Sequence, residues 1–169
     1  MDGFEQEIWK KLLPAENEVN PRAPRARGRK DDPPHADHWP AAILLERASY
    51  LRRLARAGDG QASETLKEYP QHATMLSFRS RDGVAELHMN FADLFYVLDG
   101  RATLVTGGTL ADATEIGPGE IRGASIVGGV RQELRAGDVV HVPAGVAHQT
   151  LVSGDKTFTS FVVKVEQRT

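Results

Sequence analysis

The chain contains no cysteine in its 169 residues. Disulfides and thiolate-held metals are thereby excluded, and any metal must be held by histidine, carboxylate or neutral oxygen. A strong charge of either sign is also missing. The formal net charge is -2 at pH 7, which gives no general attraction to nucleic acid or anionic lipid. No apolar run approaches the roughly 20 residues that span a bilayer. The opening "MDGFEQEIWKK" lacks the basic-then-apolar order of a signal peptide. No DNA-binding motif is present. The expectation is a cytoplasmic protein with neither a membrane nor a nucleic acid as partner.

What is there divides into three stretches. Residues 1–39 read as an N-terminal extension. Within it, "GFEQEIWKKLL" places Phe4, Ile8, Trp9 and Leu12 at helical spacing, and "NPRAPRARGRKDDPPHADHWP" is a proline- and charge-rich linker. Its short basic run reads as a solvated stretch. Residues 40–61 hold the best helix. Pro40 suits its first turn, Leu44, Ala48, Leu51 and Ala55 form an apolar stripe, and Gly58 ends it. Residues 62–169 consist of short β-rich runs separated by Gly, Pro and Asp. Many strands without intervening helices predict an all-β sandwich or barrel. Asp99-Gly100 is expected to turn a tight hairpin between two strands. The glycine-rich stretch 107–136 is expected to add short strands at the barrel mouth.

Side chains at i and i+2 of a strand share a face. In "AELHMN" this puts Glu86, His88 and Asn90 together, and in "DLFYVLDG" it puts Asp93 with Phe95 and Val97. Polar groups facing a barrel interior are costly unless something satisfies them. A divalent cation would do so.

Two spacings then resemble the cupin superfamily. Gly137, Pro143, Gly145 and His148 match G-x5-P-x-G-x2-H-x3-N, with Val152 in place of the final Asn. Upstream, the chain reads E-x-H-x4-D-x6-G, where the family has H-x-H-x3,4-E-x6-G. Glu86 stands at the first His, His88 at the second, Asp93 at the Glu and Gly100 at the Gly. A competing register pairs His88 with Asn90 and leaves two residues before Asp93.

The resemblance covers roughly residues 62–166 and implies a single cupin jelly-roll barrel preceded by an N-terminal helical extension. It also implies a divalent metal (Fe, Mn, Zn or Ni) on Glu86, His88, Asp93 and His148. Two imidazoles and two carboxylates make a harder, more anionic set than the family's three His and one Glu. Phe95, Val97 and Val152, with Asn90, are expected to line a pocket for a small organic ligand. Glu86 is the candidate general base. His141 reads as a surface histidine, and Glu120 with Arg122 as a hairpin salt bridge.

Two functions of different class follow. One is a small metal-dependent enzyme acting on an oxygenated or carbonyl-bearing compound. The other is a non-catalytic module that binds or senses a small molecule. Cupin barrels commonly pair, so a homodimer is expected.

Overall fold

A computed structural model describes residues 36–167 of the chain. The helix expected around "GFEQEIWKKLL" and most of the linker lie outside these residues. Helix α1 (Ala41–Ala57) starts after Pro40 and ends at Gly58, whose N–H bonds the carbonyl of Leu54 at 3.0 Å. Twelve strands follow: β1 (Gln61–Tyr69), β2 (His72–Arg79), β3 (Ala85–His88), β4 (Phe91–Thr106), β5 (Thr109–Ala111), β6 (Thr114–Gly117), β7 (Glu120–Gly123), β8 (Ser125–Val127), β9 (Val130–Arg135), β10 (Val139–Val142), β11 (His148–Leu151) and β12 (Phe158–Glu166). All pairings are antiparallel. Short antiparallel strands with glycine turns curl into an all-β jelly-roll barrel, as the sequence predicts.

The expected hairpin at Asp99-Gly100 is not one. β4 runs without a break through both residues. Its first half pairs with β10 and β12, and its second half with β9 and β11. Asp-Gly here makes the corner at which one strand passes from one side of the barrel to the other. The pairing with β12 slips a residue at this point, where Thr159 faces Asp99 and Ser160 faces Val97. Gly100 has φ +86°, and a Cβ there would stand 1.9 Å from the carbonyl oxygen of Thr157. The corner therefore requires glycine on two counts, left-handed backbone and close approach. The β9–β10 connection follows the same bend. Gly137 N–H bonds Val97 O, and Val97 N–H bonds Asp138 O, each at 2.9 Å.

Two apolar clusters hold the layers. Inside the barrel, Val97, Ala102, Leu104, Leu134, Val142, Val152 and Phe158 pack together. Outside it, the predicted stripe of α1 (Leu44, Ala48, Leu51, Ala55) covers Leu76 and Phe78 of β2. Burying each Val, Leu or Phe side chain among them contributes roughly 1.5–3 kcal/mol. Arg47 of α1 fixes the contact with a bidentate pair to Glu64 of β1, at 2.6 and 2.5 Å. The linker's last residues are also docked. Trp39 packs on the outer cluster, and Asp37 accepts from Lys67 Nζ at 2.7 Å and from Tyr69 Oη at 2.6 Å.

The corner generates a test. Gly100→Ala should destabilise the protein by roughly 2–4 kcal/mol, combining left-handed strain with overpacking. Urea denaturation reads it. A loss below about 1 kcal/mol would show that the corner relaxes around a side chain.

Candidate metal centre

The site forms where two turns meet the end of β3. Pro143-Ala144-Gly145 turns between β10 and β11, and Gly145, with φ +75°, donates its N–H to the carbonyl of His88 at 2.8 Å. Met89 N–H, next along the chain, bonds Gly119 O at 2.8 Å. These bonds clamp the chain around His88 between two turns. Strand register then sets the side chains. His148 pairs with Glu86, His88 with Glu120, Glu86 with Arg122, and Asp93 with Lys164.

Glu86, His88, Asp93 and His148 are brought together. Nε2 of His88 lies 3.6 Å from Glu86 Oε2 and 3.5 Å from Asp93 Oδ2. Nε2 of His148 lies 3.7 Å from Glu86 Oε2 and 3.4 Å from Asp93 Oδ2. Glu86, His88 and His148 each offer a donor atom within 4.8 Å of the other two. Asp93 Oδ2 lies nearer to both Nε2 atoms than Glu86 Oε2 does. Both histidines and Asp93 are buried, whereas Glu86 is partly open to solvent.

The tautomers suit a cation. His88 Nδ1 is 2.5 Å from Glu120 Oε2, so Nδ1–H donates to the carboxylate and the Nε2 lone pair faces inward. His148 Nδ1 lies 3.3 Å from the carbonyl of Val146 and is arranged alike. His148 Nε2 is buried and makes no hydrogen bond to any described residue. An orphaned buried nitrogen costs about 1–3 kcal/mol. Two donors each about 2.1 Å from one ion stand about 3.0–3.4 Å apart at octahedral or tetrahedral angles. The observed separations, 3.4 to 3.7 Å, lie at or just beyond the upper end of this range, so small side-chain shifts would close the shell. The residues fit a divalent cation.

Other expected site residues fall elsewhere. Asn90 is exposed in the turn after β3. Because β3 ends at His88, the alternation that aligned Asn90 with Glu86 no longer applies. Phe95 borders the cluster, its ring centroid 6.2 Å from that of His148. Val97 and Val152 are buried in the inner apolar core. His141 is exposed on β10. Glu120 and Arg122 do approach each other, at 3.5 Å, but the tighter partner of Glu120 is His88. That role was not legible, because the glycine-rich turn before β7 hides its register. Lys164, buried with Nζ 3.0 Å from Asp93 Oδ1, was also missed. A signal for it existed. Lys164 alternates in step with Ser160 and Val162, both buried.

Burial works against the charged forms of Glu86 and Asp93, but their partners prevail. His88, Arg122 and His148 hold the Glu86 carboxyl well below its usual range. His148, Lys164 and His88 do the same for Asp93. Burial also opposes the His88 cation, yet Glu120 and Glu86 raise its pKa above the ordinary 6.5. The consequences for stability have opposite signs. The two depressed carboxyls stabilise the fold above their ordinary values near 4, and this is lost as pH falls. The raised His88 stabilises it below 6.5, and this is lost as pH rises through the folded-state value. Protein kept in chelator should therefore melt highest between roughly pH 5 and 6.5. Glu120→Gln should reduce the alkaline loss. A melting temperature flat from pH 6 to about 8.5 would contradict this account.

The cupin family matches residues 64–168. No curated protein matches the chain significantly. The chain is also similar to several solved structures, at low identity. A double-stranded β-helix protein from Klebsiella pneumoniae is 17% identical over 63% of this chain and 76% of its own, with a TM-score of 0.47. A cupin domain from Schizosaccharomyces pombe is 13% identical over 63% of this chain and 65% of its own, at 0.48. A polyketide cyclase from Streptomyces resistomycificus is 15% identical over 64% of this chain and 68% of its own, at 0.46. The family match spans most of the chain and includes both motif regions and every strand of the cluster, so the chain belongs to the cupin family.

Proposed function

We propose that this cupin binds one divalent cation per chain through His88, His148 and at least one of Glu86 and Asp93, and uses it on a small oxygenated or carbonyl-bearing compound. The observation that carries the reading is the buried, unpartnered Nε2 of His148, aimed at the same two carboxylates as Nε2 of His88. Two histidines with a carboxylate suit Fe(II) or Mn(II) in particular.

A bound cation would act as a Lewis acid on a substrate oxygen. The chain's own residues supply the rest. Glu120 and the Val146 carbonyl keep both imidazoles in the donor tautomer. Glu86 presents Oε2 to the histidines, while Oε1 faces Arg122 Nε at 3.6 Å. It is the most solvent-accessible of the four groups, the position from which a carboxylate can take a substrate proton. Phe95 provides an apolar wall beside His148. No helix among the described residues is long and apolar enough to cross a membrane.

Elemental analysis of protein loaded with Fe(II), Mn(II) or Zn(II) should give about one ion per chain. The melting temperature should rise with free metal. His148→Ala should abolish both effects. Glu86→Gln separates its two roles. As a ligand, its loss lowers occupancy and turnover together. As a base, its loss removes turnover and spares occupancy. No stoichiometric metal, with an unchanged melt in His148→Ala, would defeat the proposal. Metal-loaded protein that turns over no small carbonyl compound, yet is stabilised by one, would be a binding module instead.

The expected homodimer also stands as a proposal. Leu94 and Tyr96 of β4 lie beside His141 and Val139 of β10, and all four are exposed. An apolar patch next to an edge strand suits pairing with a second copy. Light scattering of the full chain should give a dimer, and Tyr96→Glu should shift it toward monomer. A monomer from the unsubstituted chain would rule this out.

A further inference from the structure

We propose that Arg122 receives a carboxylate of the compound bound at this centre, so that the ligand is a small oxo or hydroxy acid rather than a neutral carbonyl compound. This rests on the metal reading above and names the substrate class of the same site. Residues directly opposite each other on antiparallel strands share a face. Register therefore lays one row across β11, β3, β7 and β6, with His148 opposite Glu86, Glu86 opposite Arg122 and Arg122 opposite Thr114. Exposure rises along the row. His148 is buried, Glu86 and Arg122 are half-buried, and Thr114 is exposed. The cluster thus opens toward β7 and β6, and Arg122 stands on that open side next to Glu86.

A role as counter-ion alone explains Arg122 poorly. Its guanidinium lies 3.6 Å from Glu86 Oε1 and 3.5 Å from Glu120 Oε2. The guanidinium's one hydrogen bond among the described residues is a 3.5 Å contact to the carbonyl of Ile121, its own neighbour. Arg47 shows what a committed pair looks like in this chain, with bonds of 2.6 and 2.5 Å to Glu64. A guanidinium carries five donors in a fixed fork that matches a carboxylate. Arg122 keeps most of them for a ligand. Charge agrees with this. Glu86, Asp93 and Glu120 supply three negative charges, and Arg122 and Lys164 two positive ones. With both imidazoles neutral, a divalent ion brings the sum to +1 whichever carboxylates hold it, and that favours an anion.

The Co(II)-loaded full chain tests this with acetoacetate and acetoacetamide, which share a ketone and differ in charge. Acetoacetate should half-perturb the visible Co(II) spectrum at about tenfold lower concentration than acetoacetamide. Arg122→Gln should raise the concentration of acetoacetate needed by about tenfold and leave that of acetoacetamide within about threefold. Arg122→Lys keeps the charge and loses the fork, and should still cost acetoacetate about threefold or more. Co(II) affinity, measured first in each variant, shows that the centre is intact, and should Arg122→Gln lose the ion, Arg122→Lys carries the test. No preference for the acid in the unsubstituted chain overturns the proposal. Equal losses for the two compounds, or full retention of acetoacetate binding in Arg122→Lys, do the same, because shape or charge alone would then be the role. Loss of Co(II) from both variants also overturns it, by making Arg122 a support of the centre instead. An unsubstituted chain that binds no Co(II) defeats the metal reading itself.

Discussion

A backbone bond from Gly145 N–H to the carbonyl of His88 joins the two parts of the chain that carry the candidate site's histidines. It ties the turn that launches β11 to the last residue of β3. His148 and His88 consequently arrive with ring centroids 5.3 Å apart, though sixty residues separate them in sequence. Gly145 meets no other atom within 4 Å at its Cβ position. Its requirement is therefore conformational: a positive φ that turns its N–H toward β3. Pro143 and Gly145 serve the two histidines without joining the cluster.

Around that clamp, the barrel interior is divided in kind. The inner cluster from Val97 to Phe158 is apolar and closely filled. The site concentrates three carboxylates, two imidazoles and two cations. Such a group is tolerable only because cross-strand register gives nearly every member a counterpart. His88 has Glu120, Asp93 has Lys164, and Glu86 has Arg122. His148 is the exception, and its unsatisfied nitrogen is where a ligand would contribute most.

Sequence legibility followed the range of the interactions. Alternation within one strand placed Glu86 with His88 and Asp93 with Phe95, because that geometry is local. The fixed spacing from Gly137 to His148 located the turn. The stripe on α1 was read residue by residue, since helix periodicity is local too. Failures came where a partner strand decided the outcome. Asp99-Gly100 has the composition of a hairpin, and only the four strands flanking β4 convert it into a corner. Asn90 lost its expected place because β3 ends two residues earlier. Glu120 and Lys164 act through residues 32 and 71 positions away, distances at which composition carries no register.

The length of β4 has a consequence for the order of assembly. Its partners β9, β10, β11 and β12 all follow it in the chain, and β12 is inserted between β4 and β2. Arg79 meets Phe158, and Phe91 meets Glu166. During synthesis, β2 and β4 thus emerge long before the strand that joins them. Contacts of such separation close slowly and leave strand edges exposed meanwhile. Helix α1 can cover β2 early, since its contacts are nearer in sequence. The second half of β4 gains β9 at a similar separation, but its first half waits for β12, and that interval is when this protein is most open to misassociation.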